Sequence, residues 1–279
     1  MGHGIAQVTA SRGFETRLYD IKRAVADKGF AQVRDALSRL VDKGKLEAPA
    51  RDRAVALLSV TDDLRAAVAG AEVVIEAVPE QMDLKVELFR AARDGAPRTA
   101  LLASNTSSLS ITELGRRIES PERVVGLHFF NPPPVMELIE VVQGVDTSAA
   151  TIERALALVA ALQKTPIVVR DFPGFATSRL GVALGAEAIR MVEQRVASVA
   201  SIDRAMELGY RHPMGPLKLG DLVGLDVRLG ILEHLHRELG EVFRPPALLR
   251  QMVRAGRLGK KTGIGFYRWT DRGAEPVDP

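Results

Sequence analysis

Short apolar runs alternate with helical text through roughly the first 170 positions and then give way to helical text alone. β-type runs fall at 16–20, 58–61, 73–78, 100–104, 124–130, 138–142 and 167–169, each of strand length. A small-residue helical stretch over 4–12 precedes the first of them. Phe30, Val33, Leu37, Leu40 and Val41 then recur at helical intervals, with Lys28, Arg34, Arg39 and Lys43 off that face. Lys43-Gly44-Lys45 ends this helix, and Ser110 with Glu113 forms a capping box ahead of another. Strands alternating with helices predict an α/β, doubly wound N-terminal domain whose mostly parallel sheet is covered on both faces.

After Asp171-Phe172-Pro173-Gly174 the strand text disappears. Helices are predicted over 175–193, 202–208, 217–239 and 246–255, giving an all-α C-terminal domain. The expected domains are therefore residues 1–172 and 173–279, with residues 273–279 a frayed tail. Two domains agree with 279 residues at the usual ~150 residues each.

Composition narrows the chemistry. There is no cysteine, which excludes disulfides, thiolate metal sites, iron–sulfur clusters and a cysteine nucleophile. Lys and Arg number 38 against 35 Asp and Glu, for a net charge of +3, and these cations are scattered along the chain, so no nucleic-acid partner is expected. No apolar run approaches the ~20 residues of a membrane span. The start Met1-Gly2-His3-Gly4-Ile5-Ala6 lacks a leader pattern, so a cytoplasmic location is expected.

Four places could carry chemistry. Gly2 opens a helix that leads to a strand ending in Asp20, close to the ~20-residue distance between the glycine turn and the ribose-binding acid of a dinucleotide-binding βαβ unit. In that arrangement Gly2 is the third glycine; the strand and two glycines that would precede it are expected to lie upstream of Met1. A carboxylate at position 20 would repel a 2′-phosphate, which favours NAD over NADP. Second, the runs around His128-Phe129-Phe130-Asn131-Pro132-Pro133-Pro134 and Glu137-Leu138-Ile139-Glu140 face one another if they fold back about Pro134, which puts His128 opposite Glu140. A carboxylate on one ring nitrogen fixes the tautomer of a histidine base. Third, Ser104-Asn105-Thr106-Ser107-Ser108 follows a strand at the carboxyl edge, where such sheets bind ligands; Ser110 suffices for the next cap, which leaves Ser107 for a substrate oxygen. Fourth, Glu80 and Lys85 follow the 73–78 strand, where they could touch a nucleotide or merely begin a solvated helix. Gly259-Lys260-Lys261-Thr262-Gly263 lacks the glycine spacing of a phosphate loop.

Five motifs in order, Ser104-Asn105-Thr106-Ser107-Ser108, His128-Phe129-Phe130-Asn131-Pro132, Pro173-Gly174-Phe175, His212-Pro213-Met214-Gly215-Pro216 and Gly259-Lys260-Lys261-Thr262-Gly263, resemble those of the L-3-hydroxyacyl-CoA dehydrogenases, including 3-hydroxybutyryl-CoA dehydrogenases, over nearly the whole chain. The resemblance implies a Rossmann-like nucleotide domain, a helical substrate-binding and dimerisation domain, and NAD-dependent, reversible oxidation of an acyl-CoA thioester in fatty-acid metabolism and β-oxidation. It also implies that His128 is the base, Glu140 its partner and Ser107 a donor to the reacting oxygen. Asp20, Glu80, Lys85, Asn105, Asn131 and Lys261 would lie around NAD, Lys43 would meet the CoA phosphates, and the protein would be a homodimer. Ser178 stands where the family commonly has an asparagine that bonds the substrate; the resemblance counts it with His128, Glu140 and Ser107 among the catalytic residues, and its shorter side chain is expected to alter both rate and chain-length preference. Two alternatives stay open: a dehydrogenase of a free hydroxy acid such as a sugar acid, and a non-catalytic binding or structural protein.

Overall fold

The computed structural model describes residues 1–278, and the chain divides into two compact units, Met1–Asp171 and the remainder from Phe172. The first unit runs α1 (Gly2–Ser11), β1 (Thr16–Tyr19), α2 (Arg23–Asp42), α3 (Ala48–Ala56), β2 (Leu58–Thr61), α4 (Leu64–Val68), β3 (Val73–Glu76), α5 (Met82–Gly95), β4 (Leu101–Ser104), α6 (Ile111–Arg117), β5 (Val124–Phe129), β6 (Leu138–Gln143), α7 (Ala149–Ala161) and β7 (Thr165–Arg170). α2 stops where the sequence predicts, with Lys43 at its cap and Gly44 at φ 64°. Ser110 accepts the Glu113 amide at the start of α6, at 3.1 Å.

The strands form two groups. β1 pairs with β2 in parallel, and β3-β4-β5-β6-β7 form a second sheet that is parallel except between β5 and β6. No ladder joins β1 to β3. A methyl group on Gly2 would touch Leu18 of β1 and Ala77 just after β3, each at 3.9 Å, so the N-terminus of α1 lies between the two groups.

Every residue of β4 and β5 is buried, which explains their nearly continuous apolar text. Period-2 geometry sorts their side chains. Leu101, Ala103, Val125, Leu127, Phe129, Ile139 and Val141 pack with Ile5 and Val8 of α1 and Ala155 and Val159 of α7. The alternate positions, Glu76, Ser104, His128 and Glu140 among them, point to the opposite face.

The second unit consists of α8 (Thr177–Glu193), α9 (Val199–Gly209), α10 (Pro216–Val223), α11 (Leu225–Leu239), α12 (Ala247–Arg254), β8 (Tyr267–Thr270) and β9 (Gly273–Pro276). Two sequence expectations need correction. The apolar text of 217–239 is two helices, because Gly224 at φ 107° turns the chain between α10 and α11. Within the tail expected to fray, Gly273–Pro276 form β9, which pairs with β8, so this unit is helical with a small antiparallel ribbon. The hairpin is held by Asp221, 1% exposed, which accepts the Phe266 and Tyr267 amides at 3.0 and 2.8 Å and the Trp269 indole N–H at 3.0 Å. Burial pushes the Asp221 carboxyl up, and these donors pull it back only in part.

A Cβ at Gly265 would lie 2.2 Å from the Asp221 carboxylate. Gly265→Ala is therefore expected to displace that carboxylate from its three donors and destabilise the protein by about 1–3 kcal/mol. A lower urea midpoint checks this; an unchanged midpoint would show that the hairpin does not depend on the close approach.

Candidate active site

Antiparallel pairing of β5 with β6 puts Gly126 opposite Val142 and His128 opposite Glu140, the register expected from a fold-back about Pro134. His128 Nδ1 and Glu140 Oε2 are 2.6 Å apart. His128 is 6% exposed and Glu140 is fully buried, so neither could be solvated in place of this contact. Phe130 packs against the imidazole, with ring centroids 4.7 Å apart.

The next strands continue the polar face. Glu76 is in register with Ser104, and Ser104 with Gly126. Glu76 is 2% exposed; its Oε2 accepts the Ser104 hydroxyl at 2.7 Å and its Oε1 accepts the Val78 amide at 2.7 Å and Lys85 Nζ at 2.6 Å. Lys85, on the buried face of α5, is 1% exposed. Its ammonium also reaches Glu80 Oε2 at 3.2 Å and the Val78 carbonyl at 3.3 Å. Three donors thus meet three protein oxygens, which is the full capacity of a lysine.

Glu80 ties this buried pair to the loop after β4. Its Oε1 accepts the Thr106 hydroxyl at 2.5 Å, the Ser107 amide at 2.9 Å, and the Ser108 amide and hydroxyl at 3.2 Å each. Burial raises the Glu80 carboxyl, but the Thr106 hydrogen bond, the Lys85 charge and the Ser107 amide outweigh it, so Glu80 lies below the ordinary carboxylate range. Thr106 Oγ1 in turn accepts the Ser108 and Leu109 amides at 3.2 and 2.9 Å. The Phe129 amide donates to Asn105 Oδ1 at 2.9 Å, which ties the start of this loop to the residue after His128. Ser107, Asn105, Glu80, Lys85, His128 and Glu140 therefore belong to one constellation at the carboxyl ends of β3, β4 and β5.

The other candidates lie elsewhere. Asn131 is exposed at the turn after β5. Lys164 secures that turn by donating to the Pro133 and Met136 carbonyls at 3.0 and 2.7 Å. Asp20 follows β1, and one of its oxygens takes the Lys22 amide at 2.9 Å. The second oxygen of Asp20 and the N-terminus of α1 at Gly2 are the groups that would hold a ribose and phosphates. Lys43 is exposed at the end of α2. In the second unit, Ser178 is half-buried at the start of α8, and Lys261 pairs with Asp226 at 2.6 Å.

Sequence reasoning missed Thr106, Glu76 and Lys164. It also missed the burial of Lys85, for which a signal exists: Phe89 and Ala92 follow it at helical spacing, which places the lysine on the apolar face of α5.

Comparison with known proteins identifies the family. Residues 1–172 match the family model "3-hydroxyacyl-CoA dehydrogenase, NAD binding domain" and residues 174–269 match "3-hydroxyacyl-CoA dehydrogenase, C-terminal domain". A probable 3-hydroxybutyryl-CoA dehydrogenase of Bacillus subtilis is 43% identical over 98% of this chain and 95% of its own. The 3-hydroxybutyryl-CoA dehydrogenase of Clostridioides difficile is 40% identical over 96% of this chain and 95% of its own. The crystal structure of FadB2 from M. tuberculosis superposes with a TM-score of 0.93 at 41% identity, covering 97% of this chain and 95% of that one. The chain belongs to the 3-hydroxyacyl-CoA dehydrogenase family.

Proposed function

We propose that this protein oxidises the C3 hydroxyl of an L-3-hydroxyacyl-CoA to the ketone, reversibly and with NAD, as a cytoplasmic homodimer in acyl-CoA metabolism. The observation that carries the chemistry is the buried His128–Glu140 pair at 2.6 Å, on the sheet edge that also presents Ser107. The substrate class rests on relatives named for 3-hydroxybutyryl-CoA. Residues 1–172 then serve NAD and residues 173–279 serve the acyl-CoA and the dimer contact.

With Glu140 as a carboxylate, Nδ1–H of His128 donates to it, and Nε2 takes the hydroxyl proton of the substrate. NAD, when bound, supplies the acceptor for the hydride that leaves C3. As the C3–O bond becomes a carbonyl, His128 becomes an imidazolium that Glu140 stabilises across the contact already formed. In reduction, Nε2 returns the proton to the oxygen, and the Ser107 hydroxyl donates to the charge that develops there. Asp20 accepts from a ribose hydroxyl, Asn105 and Asn131 meet the cofactor, and Lys43 and Lys261 supply positive charge for phosphates. Ser178 replaces an amide that commonly bonds the substrate, so its shorter side chain governs the fit of the acyl group rather than proton transfer.

His128→Gln is expected to abolish acetoacetyl-CoA-dependent oxidation of NADH while leaving NADH affinity within about twofold, because the ring acts on the proton rather than on the cofactor. Ser107→Ala should lower kcat about 100-fold, the usual loss for one donor to a developing oxyanion. Steady-state kinetics beside fluorescence titration with NADH checks both. Turnover that survives in His128→Gln would refute the base assignment, and activity on free 3-hydroxybutyrate exceeding that on the thioester would favour the hydroxy-acid reading.

Association with a second copy is supported by an apolar surface on the second unit, where Leu180 and Leu184 of α8, Leu219 and Leu222 of α10 and Val227 of α11 are exposed. A surface of this kind marks an interaction site. Sedimentation equilibrium should give twice the 30.2 kDa chain mass, and Leu180→Glu should shift it to the monomer. A wild-type monomer at micromolar concentration would overturn the dimer.

A further inference from the structure

The resemblance puts Glu80 and Lys85 beside the cofactor, yet their polar atoms are committed to the protein. Lys85 has no donor left after Glu76, Glu80 and the Val78 carbonyl. Glu80 Oε1 gathers four donors from three consecutive residues, Thr106, Ser107 and Ser108, while its Oε2 is held by Lys85. The same three residues carry the hydroxyl assigned above to the reacting oxygen. We propose that Glu80, anchored by Lys85, is a positioning residue that fixes the 105–109 loop and so sets the place of the Ser107 hydroxyl.

The inference rests on the role given to Ser107 under the proposed function. Its physical basis is the supply of acceptors. A backbone segment turning from β4 towards α6 presents amides that no ladder satisfies, and at the half-buried Ser107 and Ser108 an acceptor on the protein holds those amides in one place. Glu80 takes two of them directly and a third, that of Leu109, through Thr106 Oγ1. A carboxylate is suited to this because both of its oxygens accept. A glutamine has one accepting oxygen, so it must turn an NH2 group either towards the Ser107 and Ser108 amides or towards the Lys85 ammonium. Either choice places donor against donor. The chain of contacts also starts from a rigid point: Lys85 is anchored on Glu76, a buried strand residue that accepts the Ser104 hydroxyl of the same strand that leads into the loop.

The test is Glu80→Gln in the full chain, alone and combined with Ser107→Ala. Residue-resolved hydrogen exchange should show the Ser107 and Ser108 amides exchanging at least about 10-fold faster, while core amides of β4 and β5 stay protected. With acetoacetyl-CoA, kcat should fall in Glu80→Gln with the NADH dissociation constant unchanged, and the double variant should be no slower than Ser107→Ala, since the two changes act through one hydroxyl. Unchanged exchange at those amides would overturn the proposal. So would rate losses that multiply in the double variant, or a weakened NADH affinity with kcat intact, which would assign Glu80 to the cofactor. If Glu80→Gln does not fold, Thr106→Val removes only the hydroxyl between Glu80 and the Ser108 and Leu109 amides, and unaltered exchange there overturns the proposal equally. A wild-type chain inert towards acetoacetyl-CoA would defeat the proposed function, while the exchange measurement would still decide the loop.

Discussion

A carboxylate withdrawn from water inside a sheet is tolerated only with a partner at hydrogen-bond distance, and the first unit carries two on one face, Glu76 and Glu140, 2% and 0% exposed. The organisation of the site follows from how each is satisfied. Glu140 takes the imidazole of His128, which orients that ring. Glu76 takes the ammonium of Lys85, and the remaining donors of Lys85 draw in Glu80 and the Val78 carbonyl. Removing one member would strand a charge in the core, so the bonds that keep the sheet folded also aim the groups at its edge.

How much of this was legible depended on whether the partner could be reached by local rules. The His128–Glu140 contact was legible because an antiparallel fold-back about a proline-rich turn fixes the register, and strand periodicity then puts both side chains on one face. The doubly wound order was legible because β4 and β5 are buried on both sides and their text is nearly continuous. Thr106 and Lys164 were not, since each acts on a segment reached only in three dimensions: Thr106 meets Glu80, 26 residues away, and Lys164 meets Pro133, 31 residues away. The division of 217–239 at Gly224 was hidden for a different reason, because the apolar period runs on through it and only the positive φ marks the turn.

The second unit solves the same problem with backbone amides. Asp203, 2% exposed, accepts the Leu217 and Lys218 amides at 2.8 and 2.9 Å and the Tyr267 hydroxyl at 2.8 Å. Asp221 does likewise for the hairpin. Two of the sequence motifs gain a structural meaning from this. Gly215 stands before α10 because a Cβ there would fall 2.1 Å from the Asp203 carboxyl carbon, and Gly259 opens the glycine-lysine motif because a Cβ there would fall 2.3 Å from the Asp221 carbonyl oxygen. The Gly-Lys-Lys-Thr-Gly stretch, with the wrong spacing for a phosphate loop, is an exposed turn set on the buried Gly259, and the second of its two lysines, Lys261, is aligned by Asp226.

Ser178 can be placed by the same reasoning. It opens α8 directly after a turn in which Gly174 has φ 79° and Phe175 φ 48°, and a non-glycine residue in that left-handed region costs about 1–3 kcal/mol unless its surroundings fix it. The position is therefore held by backbone geometry that does not depend on which side chain follows. Under the function proposed above, a hydroxyl in place of an amide there would shorten the reach towards a substrate and leave the residues assigned to proton transfer unchanged.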